Sequence, residues 1–290
     1  MRGNRSFRLI WRLVFLALLV SIWIAWTQSQ QAPATLALQK IKDDLYVIAL
    51  SKGVGGGNIA VYLTDDGVIL VDDMFDRDYA AVMEQVKSLT PKPVKYVLNT
   101  HQHEDHAGGN ARMLAASAEV IAHRNVRSNM VRLNQPGLPR VTFSDEMDVS
   151  LGGKEVVARH YGRGHTGGDA VIYFPARKVI HTGDLFLTYP PQPFIDYATG
   201  GSALEWTSTL DEVLKLDFDV AIPGHGPVSD RAGLMKFRSN FETMRNRIGG
   251  MVRGGGTKDE ISKTLVTEFG WAQGGLAVQQ VDSMIAELKQ

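Results

Sequence analysis

The chain contains no cysteine. This absence excludes disulfide bonds, thiolate metal ligands and a cysteine nucleophile, so any bound metal ion must be held by nitrogen and oxygen atoms. An excess of charge is also missing, because 31 lysines and arginines balance 31 aspartates and glutamates. A neutral chain offers no bulk electrostatic attraction for nucleic acid, and we expect no nucleic-acid partner.

The first 35 residues differ in composition from the rest. Arginines at positions 2, 5, 8 and 12 precede an apolar run, Leu13 to Trp26, that only Ser21 interrupts. A basic start followed by about 7–15 apolar residues is typical of a secretory signal peptide, whereas a membrane-spanning helix needs about 20. No clear cleavage site follows, so an uncleaved N-terminal membrane anchor is the alternative. Because the arginines favour a cytoplasmic N-terminus, both alternatives predict an exported protein that is periplasmic or anchored outside the cytoplasm.

From Leu36 onward, β-branched runs alternate with turn residues and with segments of helical spacing. The predicted strands are Leu45–Leu50, Ile59–Thr64, Val68–Val71, Val94–Leu98, Val120–Ala122, Val141–Phe143, Met147–Val149, Glu155–His160, Ala170–Phe174, Lys178–His181 and Val220–Ile222. The predicted helices are Asp76–Leu89, His106–Ala116, Asn125–Leu133, Leu204–Leu216, Arg231–Val252, Lys258–Phe269 and Leu276–Leu288. Two groups of strands with helices around them predict two stacked sheets with helices outside.

A dense group of ligand-type side chains follows one of these strands. The stretch HQHEDHAGGN, residues 101–110, begins with three histidines and two carboxylates within six positions. His101 and His103 project to one face of an extended backbone, and Asp105 and His106 follow where the chain turns into a helix. Imidazole nitrogen and carboxylate oxygen are the usual zinc ligands when thiolate is missing. A cation would remove the repulsion among these groups, so the stretch predicts a metal site.

Three further ligand-type residues lie beside glycine near the ends of predicted strands. Glycine lets backbone approach closely, and loops at strand ends are where a rigid scaffold carries reactive groups. If the site holds two metal ions, the four ligands of one loop cannot surround both of them, so further ligands should come from other loops. The additional candidates are His165 in GRGHTGGD, Asp184 in TGDL and His225 in PGHGP.

Together these residues, in this order, resemble the metallo-β-lactamase superfamily, and the aspartate at the bridging position is similar to the glyoxalase II type of ligand set. The resemblance extends from about Leu45 to Ser229. It implies an α/β fold, a four-layer αβ/βα sandwich. We therefore predict a signal peptide or anchor with linker at 1–35, and a hydrolase domain with a helical C-terminal extension at 36–290.

The resemblance also implies a role for each residue. The implied metal ligands are His101, His103 and His165 for one zinc ion, Asp105, His106 and His225 for a second, and Asp184 as a bridge between them. Asp105 would in addition orient the nucleophile or carry its proton, which is a catalytic role. Asp72, which follows a strand in the same way as an early aspartate of the family, would orient the ligand loop through hydrogen bonds.

The implied reaction is hydrolysis by a dinuclear zinc enzyme, in which a hydroxide that bridges the metal ions attacks a small ester, thioester, lactone or lactam-like bond. Two alternatives are β-lactamase-like activity on β-lactams and a non-catalytic metal-binding or redox-accessory protein on the same fold. The complete ligand set favours an enzyme. We expect a small-molecule substrate and membrane contact only through the N-terminal segment. The apolar side chains at helical spacing near the C-terminus, Val278, Val281, Ile285 and Leu288, are predicted to pack either in the core or in a homodimer interface.

Two features concern the substrate. Superfamily β-lactamases place a lysine three residues after the bridging position to bind the substrate carboxylate, and this chain has Leu187 there. Leucine at that position argues against specialised β-lactam binding. The proline-rich segment Tyr189–Phe194 carries an aromatic residue at each end, and it is either a wall of the substrate site or a rigid connector. His123, His160 and His181 are interpreted as structural.

Overall fold

Two β-sheets form the centre of the protein. The computed structural model describes residues 35–51, 55–190, 192–272, 274 and 280–289. Within these residues the first sheet has the strand order β1-β2-β3-β4-β5-β6-β7, and the second has the order β13-β12-β11-β10-β9-β8. The strands are β1 Leu36–Lys42, β2 Leu45–Leu50, β3 Ile59–Leu63, β4 Val68–Val71, β5 Val94–Asn99, β6 Glu119–His123, β7 Val141–Phe143, β8 Glu146–Leu151, β9 Lys154–Arg159, β10 Val171–Phe174, β11 Val179–His181, β12 Val220–Ile222 and β13 Ser229–Asp230.

Helices cover the outer faces of both sheets. The α-helices of the described residues are α1 Tyr79–Leu89, α2 Glu104–Ala107, α3 Asn110–Ala115, α4 Arg124–Arg132, α5 Ala203–Val213, α6 Arg231–Arg253, α7 Lys258–Phe269 and α8 Val281–Leu288. Helix α7 begins at a capping box, in which Thr257 and Glu260 satisfy each other's backbone N–H groups.

The buried apolar residues form layers that correspond to these elements. Between the sheets, Tyr62 of β3 meets Phe174 of β10 edge to face, with ring centroids 5.2 Å apart. The outer face of the first sheet packs on α1 through Val82 and Val86, and the outer face of the second sheet packs on α5 and α6. Full burial of a side chain such as valine or phenylalanine stabilises the folded state by about 1.5–3 kcal/mol. The arrangement is a four-layer αβ/βα sandwich, which confirms the predicted fold.

Strand direction explains where the loops with ligand-type residues meet. In the first sheet β4 and β5 are parallel, and in the second β11 and β12 are parallel. The carboxyl ends of parallel neighbours lie at one edge of a sheet. Strand β10 is antiparallel to β11, so the loop before β10 reaches the same edge as the loop after β11. Because the sheets are stacked, the two edges meet.

The predicted helix His106–Ala116 is wrong as a single helix. The chain forms α2 and α3 instead, with Gly108 and Gly109 between them. Gly109 donates a hydrogen bond to Asp73 Oδ1 over 2.9 Å, and a Cβ at Gly109 would lie 2.8 Å from the Asp73 carbonyl oxygen. This close packing against the loop after β4 interrupts the helix.

Strand β1 was not predicted, because LALQKIK lacks the regular alternation of a half-buried strand. It exists as the edge partner of β2, with Leu36 opposite Leu50. At the other end of the domain, helix α8 occupies the described part of the predicted helix Leu276–Leu288, and residues 275–279 lie outside the described residues.

The described residues belong to one compact unit, Thr35–Gln290. The predicted signal peptide or anchor falls in residues 1–34, which lie outside the described residues. Among the helices that the structure describes, none has the length and apolar character that a membrane crossing requires.

Candidate metal centre

The structure brings all seven predicted ligand residues together where the edges of the two sheets meet. Their ligand atoms form three overlapping groups, and within each group the atoms lie within 4.8 Å of one another. We call His101, His103 and His165 the three-histidine group, and Asp105, His106 and His225 the mixed group. A third set joins the two, because it contains His101, His106 and Asp184.

The three-histidine group is the more enclosed of the two. His103 Nδ1 lies 2.9 Å from His165 Nε2, and the ring centroids of His101 and His165 are 4.7 Å apart. Both His101 and His165 are 1% exposed, whereas the side chain of His103 is 23% exposed. The three rings are therefore held edge to face around one point, with His103 on the open side.

The mixed group combines two imidazoles with a carboxylate. His106 Nε2 lies 3.2 Å from His225 Nε2, and Asp105 Oδ2 lies 3.1 Å from His225 Nε2. Asp105 is the second residue of α2, so the short helix turns its carboxylate toward the loop after β12. Residues far apart in the chain thus present one ligand set.

Asp184 lies between the two groups. Its Oδ1 is 3.2 Å from His106 Nε2 and 3.4 Å from His225 Nε2, while its Oδ2 is 3.7 Å from His165 Nε2. One oxygen thus faces the mixed group and the other faces the three-histidine group. This is the position that a bridging ligand requires.

The close approach to Asp184 depends on a glycine of the neighbouring loop. A Cβ at Gly224 would lie 1.9 Å from Asp184 Oδ1, and the Gly224 N–H donates to the Gly183 carbonyl oxygen over 2.8 Å. The glycine before His225 therefore lets the loops after β11 and β12 meet beside the carboxylate.

The histidines are oriented by hydrogen bonds at the nitrogen that faces away from the cluster. His106 Nδ1 lies 2.8 Å from Asp72 Oδ2, and His101 Nδ1 lies 3.0 Å from Thr100 Oγ1. His165 Nδ1 donates to the carbonyl oxygen of Phe194 over 2.6 Å. A partner at one ring nitrogen fixes the tautomer and leaves the other nitrogen available as a ligand. Each of these contacts turns the free nitrogen toward the cluster.

Asp72 contacts both groups, His106 directly and His101 through Thr100. Asp72 Oδ1 accepts from the Thr100 N–H over 2.7 Å, and its Oδ2 accepts from Thr100 Oγ1 over 2.8 Å. Asp72 has a left-handed backbone, with φ 63°, and is 0% exposed. The orienting role that the resemblance implied for Asp72 fits these contacts.

Asp196 makes the equivalent contact to His103, although the sequence alone did not indicate it. Its Oδ2 lies 2.9 Å from His103 Nε2 and also accepts from Thr199 Oγ1 over 2.6 Å. Burial alone would raise the pKa of Asp196, but the hydrogen bonds from His103 and Thr199 lower it to about 2. The local pattern Asp196-Tyr-Ala-Thr199 indicates only a turn cap, because the partner histidine is 93 residues away.

The electrostatics of the cluster suit a cation. Burial lowers the pKa of His101 well below its usual range, and burial also lowers the pKa of His165 to about 4, so both rings are neutral near pH 7. Burial would lower the pKa of His225 as well, but Asp184 and Asp105 raise it to about 9. Burial opposes ionisation of Asp184, yet His225 and His106 hold the pKa of that carboxyl well below normal. The raised pKa of His225 shows that the neighbouring carboxylates favour positive charge at this point, and a metal ion would supply that charge in place of the proton.

Two polar atoms test whether a metal ion fits. His101 Nε2 and Asp184 Oδ1 are buried, and neither has a hydrogen-bond partner. Buried polar atoms without a partner are costly, so both atoms indicate a ligand at this point. Two ligands of a tetrahedral zinc ion lie roughly 3.3 Å apart. The separations of 2.9 Å in the three-histidine group and 3.1 and 3.2 Å in the mixed group are close to that value.

The loop that carries His165 is held by a buried carboxylate. Asp169 accepts hydrogen bonds from the Thr166 N–H and hydroxyl group, which closes the glycine-rich turn. Burial raises the pKa of Asp169 to about 7 against the effect of those bonds. The neutral and ionised forms of Asp169 are therefore close in free energy near neutral pH.

Phe194, the last residue of the proline-rich segment, contacts the centre. The Phe194 ring lies 5.9 Å from the His103 ring and 5.7 Å from the His165 ring, centroid to centroid. Phe194 thus covers one side of the three-histidine group, and whether the segment also forms a wall of a substrate site stays a prediction.

The other predicted structural histidines lie in hydrogen-bonded positions. His181 Nε2 lies 3.0 Å from the Asn58 carbonyl oxygen, and His123 and His160 stack with centroids 4.2 Å apart.

A sequence profile of the family described as the metallo-beta-lactamase superfamily matches residues 53–225, which is more than half of the chain. The chain belongs to the metallo-beta-lactamase superfamily. It is accordingly a metallo-hydrolase, and the matched segment contains every residue of the three-histidine and mixed groups. Metal binding is typical of this superfamily, and the His and Asp groups described above could hold a metal ion.

Proteins similar in sequence include an O-demethylase subunit and a metallo-beta-lactamase. The chain is 28% identical over 185 residues to the 2,4-dinitroanisole O-demethylase subunit alpha of Nocardioides sp. (strain JS1661), a match that covers 61% of this chain and 54% of that relative. The chain thus spans about half the length of this relative. It is 24% identical over 212 residues to the metallo-beta-lactamase type 2 of Elizabethkingia meningoseptica, covering 71% of this chain and 84% of the relative.

Solved structures show the same fold. The metallo-beta-lactamase from Pontibacter korlensis superimposes with a TM-score of 0.66 at 22% identity, covering 72% of this chain and 99% of that one. The DIM-1 metallo-beta-lactamase superimposes with a TM-score of 0.64 at 21% identity, covering 73% of this chain and 99% of that one.

Proposed function

We propose that the protein is a dinuclear zinc hydrolase that cleaves a small ester, thioester or lactone bond. The observation that supports this proposal is the position of Asp184, whose two carboxylate oxygens face the two ligand groups. His101, His103 and His165 would hold one ion, and Asp105, His106 and His225 the other. Lewis-acid activation of water and of the scissile carbonyl group is the chemistry that zinc would supply there.

Asp105 and Phe194 would supply the remaining functions of the site. Asp105 is ionised, because His106 and the hydrogen bond from His225 lower its pKa against the effect of burial. Its side chain is 23% exposed, so the carboxylate can orient an attacking water molecule and accept its proton. Hydrolysis then adds the elements of water across the bond, which gives a carboxylic acid and an alcohol, or a thiol from a thioester. Phe194 would exclude bulk water from the three-histidine group.

A β-lactam is the second candidate substrate, since several relatives are named metallo-beta-lactamases. Leu187 stands at the lysine position of that class. It is 6% exposed, and its backbone bridges to His225. The position therefore offers no cation for a β-lactam carboxylate. We expect such activity to be weak beside ester, thioester or lactone hydrolysis.

The N-terminal sequence supports export, and we propose that the domain works in the periplasm or on the outer side of the membrane that holds its anchor. This proposal is independent of the metal centre. Separation of the cell fractions and determination of the mature N-terminus would distinguish a cleaved signal peptide from an anchor.

The experiment that tests the proposed function is elemental analysis of the full chain purified without chelator, with hydrolysis measured on the same sample. The substrates are a thioester, a lactone, a phosphodiester and a chromogenic β-lactam. We expect about two zinc ions per chain and turnover of the thioester or lactone. Less than one transition metal per chain, not restored by added zinc, would contradict the proposal.

A further inference from the structure

The C-terminal helix α8 contacts a segment that also contacts the three-histidine group. We call residues 194–203 the orienting segment. It includes Asp196, whose Oδ2 lies 2.9 Å from His103 Nε2, and Phe194, whose carbonyl oxygen accepts from His165. Helix α8 lies beyond the part of the chain that the family profile matches. Contacts between α8 and the orienting segment therefore connect the metal centre to a region outside the matched segment.

Glu287 of α8 accepts three hydrogen bonds from the orienting segment. Its Oε1 accepts from Ser202 Oγ, and its Oε2 accepts from the Ala203 N–H over 2.9 Å and from the Tyr197 hydroxyl group over 3.0 Å. Ser202 is the N-cap of α5 and Ala203 is its first residue. The Glu287 carboxylate thus satisfies a free N–H group at a helix N-terminus, where the helix dipole also favours negative charge.

Tyr197 connects this carboxylate to Asp196. The two residues are adjacent, and Tyr197 begins a short 3-10 helix, Tyr197–Thr199, that Asp196 caps by accepting from the Thr199 N–H over 3.2 Å. Burial and the Glu287 carboxylate raise the pKa of Tyr197, so its hydroxyl group keeps its proton and donates it to Glu287. The turn is therefore held by α8 on one side and presents Asp196 to His103 on the other.

A second residue at the start of α8 holds the position before Asp196. Gln280 is the N-cap of α8, and its Oε1 accepts from the Ile195 N–H over 2.7 Å. The next N–H group, that of Asp196, donates to the His165 carbonyl oxygen over 2.8 Å. The orienting segment is thus hydrogen-bonded to α8 on one side and to the loop that carries His165 on the other.

We propose that Glu287 is a positioning residue of the metal centre, which holds Asp196 against His103 through the orienting segment and so sets the metal affinity of the three-histidine group. The proposal deepens the metal-binding part of the proposed function and rests on it, whichever bond the protein cleaves. Without the Glu287 carboxylate, the Tyr197 hydroxyl group and the Ala203 N–H lose their partner. The turn is then free to move the Asp196 carboxylate away from His103.

The zinc affinity of full-chain variants tests this proposal. Competition titration with a fluorescent zinc chelator should show that Glu287→Ala weakens one binding step by about threefold to tenfold, up to the smaller losses typical of removing a partner of a metal ligand. A general loss of stability would weaken both steps. Asp282→Ala is the matched control, because it removes a carboxylate from the same helix at an exposed ion pair with Lys258. The control should leave both steps unchanged.

A double-mutant cycle tests whether Glu287 acts through Asp196. Substitutions at residues that act through one contact are not additive. Adding Glu287→Ala to Asp196→Asn should therefore weaken zinc binding by less than about twofold beyond Asp196→Asn alone. Glu287→Gln should restore most of the affinity, because the amide oxygen can accept at the Oε2 position while the amide nitrogen donates to the Ser202 hydroxyl group.

Amide hydrogen exchange of the metal-free full chain gives a readout that needs no zinc. The N–H groups of Thr199 and Gly201 donate to the Asp196 carbonyl oxygen over 3.1 and 2.8 Å. Both should exchange roughly fivefold faster or more in Glu287→Ala, because the turn then opens more often. Tyr197→Phe removes one of the three hydrogen bonds and keeps the ring, so it should show a smaller change in the same direction even if Glu287→Ala does not fold.

Two results would overturn the inference: zinc affinity that Glu287→Ala leaves unchanged, or a full additional loss when Glu287→Ala is combined with Asp196→Asn. Unchanged exchange at Thr199 and Gly201 in both single variants would also overturn it. Absence of zinc binding by the unsubstituted chain would instead contradict the proposed function, and the exchange rates alone would then decide whether Glu287 holds the Asp196 turn. The two failures are therefore distinguishable.

Discussion

The two ligand groups of the metal centre differ in charge and in surroundings. The three-histidine group contains only imidazoles, two of them 1% exposed, and Phe194 covers it. The mixed group contains the Asp105 carboxylate, and its His225 lines a cavity of about 760 Å³ beside the loop after β12. One group thus consists of imidazoles alone and is enclosed, while the other contains a carboxylate and faces an open cavity.

Two neighbouring ligand groups of one fold can therefore differ in how they hold a metal ion. Neutral ligands leave the charge of a bound cation uncompensated, whereas Asp105 offsets part of it. The orienting residues are also divided. Asp196 contacts only His103, but Asp72 contacts His106 directly and His101 through Thr100. Substitutions should therefore separate the groups according to these contacts.

Removal of a ligand from the three-histidine group should have the largest effect. We expect His103→Ala to lose at least one zinc ion and to lower hydrolysis by on the order of 10³-fold or more, the scale seen when a key electrostatic group is removed. Elemental analysis and rate measurement on one sample would check this. The control is Glu104→Ala, because Glu104 is exposed beside the ligand. Full zinc content and activity in His103→Ala would refute the ligand assignment.

Asp72→Asn should weaken both groups at once. The substitution removes the carboxylate that orients His106 and Thr100, and losses of about 10–100-fold in metal affinity are typical for such partners. Competition titration with a fluorescent zinc chelator should show both binding steps shifted to weaker affinity. A shift in one step alone would mean that Thr100 orients His101 without help from Asp72.

Asp196→Asn should weaken only the three-histidine group. Loss of the charge that faces His103 Nε2 should lower the affinity of one binding step by about tenfold and leave the other unchanged. The same chelator titration applies. Asp76→Asn is the matched control, since it makes the same change at an exposed ion pair with Arg112. If both steps moved equally, the two groups would not be separable in this way.

Asp44→Asn should change stability and leave both groups intact. Burial raises the pKa of Asp44, but hydrogen bonds from Arg177, at 2.6 Å, and from Lys154 outweigh it and lower the pKa from 3.8 to about 2. The stabilisation from a lowered pKa is present above the unfolded pKa and is lost as the pH falls through the folded one.

We therefore expect Asp44→Asn to be less stable by about 1 kcal/mol at pH 7, after allowance for solvent screening at this partly exposed site. The difference should shrink as the pH falls from about 4 to about 2. Urea unfolding across this range, with chelator present in every sample, would measure it. A difference that stayed constant with pH would show that packing, and not charge, is responsible.

Most of the strands and helices could be predicted from the sequence, because their apolar spacing is a local property. The seven candidate ligands could be predicted from it as well. Imidazole and carboxylate groups beside glycine indicate metal ligation when they follow several strands in a fixed order, and a chain without cysteine has no other strong metal donors. That these residues bind zinc stays a prediction.

Features that depend on distant parts of the chain could not be predicted from the sequence. Asp196 resembles a turn cap until the fold places it 2.9 Å from a histidine 93 residues away. Gly108 and Gly109 separate α2 from α3 because the loop after β4 packs against them. Local periodicity reports what a segment can bury, but only long-range packing determines which side chains share a space and which atoms face each other.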